Sequence, residues 1–244
     1  MEVGTILWRE FIFFKRKAFK ITAGAIMSPL LYLIAFGWGL GDGVVVEGHS
    51  YIYFIIPGII ALSTMNTSFN AVAIRITVAK LHEKSFEYYM TAPVKMYLLT
   101  LGYILAGALR GLYAGFIILA VSCVFGVYIH FNIAFILVCF LNSMLFAAFG
   151  YTAAMIIDNH YDMNRFATFV ITPMTFLCGT FFSLNKMPIT VKKIIMLLPL
   201  THVTQSLREI ALADKVNYVS ILVLIIYFVI LFAMGVYVSY KEIK

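Results

Sequence analysis

Apolar stretches long enough to cross a bilayer follow one another along most of this chain, with short polar breaks between them. Stretches free of Asp, Glu, Lys and Arg run over 21–41, 48–74, 96–109, 111–157, 166–185 and 216–240. A spanning helix needs about 20 mostly apolar residues, each rising 1.5 Å, to cover a hydrocarbon core about 30 Å thick. The interval 111–157 is too long for one pass and divides at 126–132, where Gly126, His130 and Asn132 mark a surface turn. Six spans follow: near 21–41, 51–74, from within 97–106 to 125, 133–157, 166–184 and 217–240. The predicted fold class is all-α, a polytopic membrane protein of six transmembrane helices forming a single domain over 1–244.

Between and before the spans the pattern changes period. In residues 1–20, Leu7, Phe11, Phe14 and Ala18 recur at helical spacing while Arg9, Lys15, Arg16 and Lys17 load the remaining faces. This predicts an N-terminal interfacial helix lying in the headgroup layer, with Trp8 as an anchor. Residues 75–96 mix Lys80, Glu83, Lys84 and Glu87 with Phe86, Tyr88 and Tyr89 before Pro93. They read as a cytoplasmic loop carrying a short aromatic helix. Its rings either rest on the membrane interface or dock on another protein. Residues 185–215 hold two apolar pieces, 194–200 and 203–212, separated by Pro199-Leu-Thr-His202. Neither is long enough to span, so an outer re-entrant helix pair is expected.

Several spans carry polar or helix-bending residues. Ser63, Thr64, Asn66, Thr67, Ser68 and Asn70 form a polar stripe on the second span. Such groups need partners in hydrocarbon, so the stripe meets another helix or a wet cavity. Pro29 lies in the first span, Pro57-Gly58 near the outer end of the second, and Pro173 kinks the fifth, loosened further by Gly179-Thr180. Arg110 sits inside the third; starting the hydrocarbon zone near Leu105 would let it snorkel to the cytoplasmic surface.

Composition agrees with the membrane class: 63% of residues are hydrophobic and only 12% charged, half the usual charged share. The net charge of +7 does not imply nucleic-acid binding, because the basic residues flank spans. By the positive-inside rule both termini should be cytoplasmic, and loops 42–50 and 126–132, which lack Lys and Arg, external. Segment 185–215 conflicts with this, lying outside yet holding Lys186, Lys192, Lys193, Arg208 and Lys215. Cys123, Cys139 and Cys178 all lie in apolar runs and read as packed small hydrophobes. No cleaved signal peptide is expected.

The sequence lacks a GxxxxGK[ST] phosphate loop, HExxH and GxSxG, and its histidines lie far apart. Asp158 and Asp162, at i and i+4, offer one chemical alternative, a membrane-embedded magnesium-dependent prenyl- or phospho-transferase. Two carboxylates are few for such a metal site, and capping of a cytoplasmic turn opposite Arg165 is the simpler reading. A passive channel or structural membrane protein is a third class.

Three segments in order carry a resemblance. They are Pro57-Gly58-Ile59-Ile60 with Met65-Asn66-Thr67-Ser68-Phe69-Asn70; Phe86-Glu87-Tyr88 with Thr91-Ala92-Pro93-Val94; and Phe176 through Gly179-Thr180-Phe181-Phe182 to Pro188, with Leu198-Pro199-Leu200-Thr201-His202 and Arg208. Together with the order of elements they make the whole chain resemble the permease subunit of a type-2 ABC exporter. That class includes drug-resistance, nodulation-factor and polysaccharide-export permeases. Ser183 stands where the family often has proline. The resemblance implies a permease dimer, here a homodimer, in the plasma (inner) membrane, bound to two copies of a separate ABC ATPase. The ATP and magnesium would belong to that partner, and this chain would need no cofactor. It implies a coupling helix with Glu83, Phe86, Glu87 and Tyr88 at the ATPase contact. It further implies a translocation path or gate that includes Asn66, Asn70, Thr180, Phe181, Phe182, Thr201 and His202. The cargo expected is an amphipathic drug, lipid or lipo-oligosaccharide or polysaccharide.

Overall fold

The structure, a computed structural model, describes residues 2–39, 43–81 and 95–242. It is helical almost throughout: α1 (Glu2–Tyr32) continuing as a π-helical segment (Leu33–Gly39), α2 (Tyr51–Leu81), α3 (Met96–Val124), α4 (Ile133–Ile156), α5 (His160–Phe166), α6 (Thr172–Leu177), α7 (Ile189–Ile195), α8 (Pro199–Ala213) and α9 (Tyr218–Glu242). The described strands form one minimal hairpin, β1 (Val45–Val46) with β2 (His49–Ser50). Its turn residues Glu47 and Gly48 have φ of 52° and 83°, the paired positive values that match the twist of a two-residue hairpin loop. Among the described residues, five helices are long and apolar enough to span a membrane: α1 with its extension, α2, α3, α4 and α9. The protein is thus an all-α polytopic membrane protein.

Three expectations change in detail. The segment 1–20 and the first span are one continuous helix, because nothing between Lys20 and Ile21 interrupts the backbone ladder. The fifth span is a broken series, α5, a π turn (Ala167–Ile171) and α6. It starts in the polar run expected to be a loop, since the Asn159 side chain accepts the Asp162 N–H at 2.7 Å and caps a helix there. Pro173 lacks an N–H and its ring opposes the carbonyl of Phe169; the π turn accommodates both. In the outer pair, residues 199–202 are the first turn of α8 rather than a connector. Pro199 sits at the helix start, where its missing N–H costs nothing.

The second span is the centre of the bundle. α2 is buried along most of its length and packs against α3, α4 and α8, while α9 covers α4. Gly107, Gly111 and Gly115 recur every four residues on α3 and face α2 and α4. A Cβ on Gly111 would lie 2.9 Å from the Thr64 carbonyl oxygen. Close approach of this kind replaces the hydrophobic drive that helices lack in lipid. Hydrogen bonds complete the contacts: Asn142 on α4 donates to the Ala61 carbonyl (3.0 Å) and to Thr64 Oγ1 (2.8 Å). Tyr151 pairs with Ser239 at 2.9 Å, and Thr152 donates to the Leu231 carbonyl at 3.0 Å.

The two ends are tied separately. At one end Lys80 donates to the Met155 carbonyl (3.1 Å) and to Asp158 (2.7 Å), joining the close of α2 to the close of α4. At the other, Glu47 of the hairpin accepts from Ser183 and from Asn185 (3.1 Å), Lys192 donates to Asn185 (3.0 Å), and Asn132 donates to Asp214 (3.2 Å). The hairpin, the 126–132 turn and the short helices therefore share one face of the bundle. That is the end expected to be external, and Arg208 is buried there rather than displayed in a loop.

Gly111→Ala should lower the unfolding temperature of the detergent-solubilised protein, by about 1–3 kcal/mol of overpacking strain. Gly4→Ala, where a Cβ meets nothing within 4 Å, should leave it unchanged or slightly raised. Circular dichroism melts of both variants make the check.

Candidate translocation groove

The polar stripe of α2 splits between two faces. Thr64 and Ser68 turn inward and satisfy themselves locally: Thr64 donates to the carbonyls of Ile60 and Ala61 at 2.9 Å, and Ser68 donates to Met65 at 3.0 Å. Ser63, Asn66, Thr67 and Asn70, at i, i+3, i+4 and i+7, line a groove of about 810 Å³ instead. Its opposite wall is one face of α1, including Phe13, Lys17, Ile21, Ser28 and Tyr32, with Thr172, Thr175 and Phe176 of α6 at the side. α1 packs along α3 and touches α2 little, and this leaves the groove open. From Phe13 to Tyr32 the wall rises about 28 Å at 1.5 Å per residue, close to the thickness of a hydrocarbon core.

The groove's inner end is cationic. Lys17, Arg75 and Arg110 gather around the ring of Phe13, at 4.6, 5.8 and 5.3 Å from its centroid, within cation–π range. Behind them stands Glu10, only 4% exposed. Its Oε1 accepts from Arg9 (3.2 Å) and Arg75 (3.3 Å) and its Oε2 from Arg110 (2.7 Å), while Arg9 also donates to Tyr103 at 2.8 Å. Arg110 therefore does not snorkel to the surface: a carboxylate from α1 meets it inside the bundle. A charge at membrane depth costs about 2.5–3.5 kcal/mol on insertion scales. Pairing and the Phe13 ring face offset that cost.

The outer end is aromatic and immobilised through the backbone. The Phe181 ring lies 4.7 Å from Phe36, 5.1 Å from Tyr32 and 5.9 Å from Phe176. Its carbonyl accepts from Tyr51 at 2.8 Å. The turn that presents it leaves the helix at Gly179, with φ of 74°, a conformation that favours glycine. Arg208 of α8 secures this turn. It donates to Gly179 (3.0 Å), Thr180 (3.4 Å) and Phe54 (3.2 Å), and its guanidinium lies 3.6 Å from the centroid of the Phe54 ring. Phe54 is in the turn before Pro57, whose missing N–H weakens the backbone ladder of α2 there.

Asn66 and Asn70 line the groove, and Phe181 packs behind two of its lining rings, Tyr32 and Phe176. Thr180 is buried beside Gly58, where its carbonyl oxygen leaves 2.8 Å to a would-be Cβ, and Phe182 is half-exposed in the same turn. Thr201 and His202 do not join the groove. Thr201 donates to the Ile195 carbonyl at 2.7 Å, and His202 bonds the Met196 carbonyl at 2.9 Å, fastening α8 to the end of α7. Glu83, Phe86, Glu87 and Tyr88 lie outside the described residues. The two aspartates weighed for metal chemistry do not converge: Asp158 holds Lys80 and Asp162 holds Arg165 at 3.1 Å. No cluster of three or more His, Cys, Asp or Glu residues suited to a metal occurs among the described residues. The arrangement can take up a molecule along the polar face of α2.

An open groove at membrane depth with one polar face set among apolar walls suits a carrier, and sequence comparison agrees. The ABC-2 type transporter family matches residues 1–212. The chain belongs to that family. Among its ABC-2 relatives is the inner membrane transport permease YadH of Escherichia coli (strain K12), 32% identical over 165 residues, 67% of this chain and 64% of that protein. Another is nodulation protein J of Rhizobium meliloti (strain 1021), 29% identical over 219 residues, 88% of this chain and 83% of that protein. The match to YadH thus covers slightly less than two thirds of its length. The ABC-2 family match takes in α1 through almost all of α8, so both ends of the groove fall inside it.

Glu10→Gln should destabilise the bundle by about 3–5 kcal/mol, the usual cost of stripping a partner from buried charges. A thermal melt of the purified variant measures it, and an unchanged melting temperature would contradict the assigned role of Glu10.

Proposed function

We propose that this chain is the permease subunit of an ATP-driven ABC exporter in the plasma (inner) membrane, moving an amphipathic cargo outward along the groove between α1, α2 and α6. Cargo of the drug-like, lipid, lipo-oligosaccharide or polysaccharide type suits a wall that joins amides and hydroxyls to aromatic rings. The observation carrying the reading is the exposed polar face of α2. Asn66 and Asn70 would be costly facing lipid, and they are sited where a cargo would replace water.

Two copies complete the pathway as a homodimer, because one copy leaves the groove open along its side. Each copy holds one ABC ATPase subunit through the segment containing Glu83, Phe86, Glu87 and Tyr88, the ring filling a pocket and the carboxylates meeting basic rim residues. Nucleotide and magnesium reside on those subunits. Closure of the two ATPases draws the segment, and with it the inner end of α2 tied through Lys80 to α4. Rigid-body rearrangement then opens the aromatic outer end. Both termini face the cytoplasm, the side of the ATPases.

Phe86→Ala with Glu87→Ala should reduce co-purification of the ATPase subunit while membrane insertion stays intact; normal co-purification would refute the coupling assignment. Asn70→Cys, in a background where the exposed Cys123 is serine, should lose export when a bulky maleimide occupies the groove. Undiminished export by the labelled protein would remove the groove from the path.

A further inference from the structure

The groove is chemically polarised from end to end, and two cations at its inner end, Lys17 and Arg110, have donor capacity to spare among the described residues. Arg110 spends Nη2 on Glu10, both on the carboxylate at 2.7 Å and on the backbone carbonyl at 3.4 Å. Its Nε and Nη1 have no protein acceptor among the described residues, and Lys17 meets only the face of the Phe13 ring. No carboxylate lines the groove among the described residues, since Glu10 lies behind the wall. Beyond Asn70 and Asn66, about 18 Å along α2 from Arg75 at 1.5 Å per residue, the hydroxyl of Ser63, a residue only 4% exposed, lines the same space without a hydrogen-bond partner among the described residues. The far end offers the rings of Tyr32 and Phe176. Unused guanidinium and ammonium donors, then amides and an unpartnered hydroxyl, then aromatic rings describe the mould of one kind of molecule.

We propose that the cargo is an anionic amphiphile whose phosphate or carboxylate head is held by Lys17 and Arg110 beside Phe13, with its apolar portion directed toward Tyr32 and Phe176. The proposal rests on the groove being the cargo path and adds the charge and the orientation of what travels there. Charge-assisted bonds to an anion are stronger than neutral ones, and a guanidinium receives two oxygens side by side. In a site walled by hydrocarbon such a bond discriminates more strongly than it would in water. A cationic head would meet like charge, and a zwitterionic head would meet it in part. The bilayer itself supplies anionic heads, so an acidic phospholipid is the rival source of the same chemistry.

The test uses the full chain carrying Asn70→Cys and Cys123→Ser in phosphatidylcholine nanodiscs, with protection of that cysteine from maleimide as the readout. The probes share a dodecyl tail and differ only in head: dodecyl phosphate, dodecylphosphocholine and dodecyltrimethylammonium. Dodecyl phosphate should protect at about tenfold lower concentration than the phosphocholine, the equivalent of one good charged contact. The ammonium probe should be the weakest. Lys17→Glu changes an exposed side chain and should abolish the preference. Arg110→Lys keeps a cation for Glu10 but loses the spare guanidinium donors, and should weaken the preference several-fold. Equal protection by all three heads, or a preference that survives both substitutions, would overturn the proposal. So would absence of protection by any probe, the result if a second copy of the chain packs flat over the groove. Adding phosphatidylglycerol to the nanodiscs separates the sources. Protection by dodecyl phosphate should persist, and its displacement by the lipid would overturn the assignment to cargo. Failure here is distinguishable from failure of the permease reading. If only the head-group assignment is wrong, the labelled Asn70→Cys protein still loses export. If only the path is wrong, dodecyl phosphate still protects.

Discussion

Hydrocarbon solvates neither a peptide group nor a guanidinium, so a polar group at membrane depth is driven to pair within the chain or to face the groove. That constraint organises the structure. It explains why Thr64 and Ser68 turn back onto their own helix, why Asn142 reaches across to α2, and why Tyr151 meets Ser239. It also explains the two buried arginines, which meet it in opposite ways. Arg110 uses a carboxylate, Glu10, brought from α1. Arg208 uses carbonyl oxygens, those of Gly179 and Thr180 in the turn after α6 and that of Phe54, the neighbour of the Tyr53 carbonyl that Pro57 leaves without its helical donor. At these two places a break in the backbone is answered by one arginine and a buried carboxylate by the other.

These two solutions give the groove its ends. The inner one gathers charge, because a single carboxylate is shared among several cations that also face the groove. The outer one gathers rings, because a turn fixed by Arg208 and Tyr51 presents Phe181 to Tyr32, Phe36 and Phe176. Between them α2 contributes polar groups that the bundle has no further use for. A groove of this kind follows from the way α1 divides its contacts: it is bound to α3 and, through Glu10, to the arginines, but lies away from the middle of α2.

The spans were legible because length and apolarity alone decide whether a segment can cross a bilayer. The turn at 126–132, the start of α4 after Asn132 and the gathering of the short helices at the same end of the bundle as that turn followed from the same reasoning. Boundaries set by capping were legible in principle: Asn159 followed by Asp162, and Pro199 at a helix start, are local signals. The inner cluster was not. The face of α1 turned toward the groove and the arginines is Ile6, Glu10, Phe13 and Lys17, of which Ile6 and Glu10 are buried, one residue offset from the apolar face of Leu7, Phe11, Phe14 and Ala18. Phe11 on that apolar face is 56% exposed. Periodicity assigns Glu10 and Lys17 to solvent, and only tertiary structure shows Glu10 to be the counter-ion of Arg75 and Arg110, 65 and 100 residues away. Pairing over such distances leaves no period in a sequence. Of the proposed path residues, Asn66 and Asn70 were readable because amides in a span demand an explanation. Thr201 and His202 were misassigned because a buried hydroxyl and ring that fasten two short helices look, in sequence, like groups awaiting a ligand.

α2 is the element through which the two ends of the groove can affect each other. It is one helix from Tyr51 to Leu81, about 46 Å long at 1.5 Å per residue. Lys80 ties its inner end to α4, Arg75 contacts the Glu10 cluster, Thr64 meets α4 in the middle, and Phe54 holds Arg208 at the outer end. The helix is not uniform, however. Pro57 weakens its ladder beside the carbonyl that Arg208 occupies, so the outer turn bends more easily than the rest. A displacement applied near Lys80 would be transmitted by a well-bonded shaft and absorbed near Pro57, which is where the turn bearing Phe181 is attached. Backbone stiffness along most of α2 and compliance at one proline are together sufficient for a push at the Lys80 end to move the aromatic contacts around Phe181 at the other end.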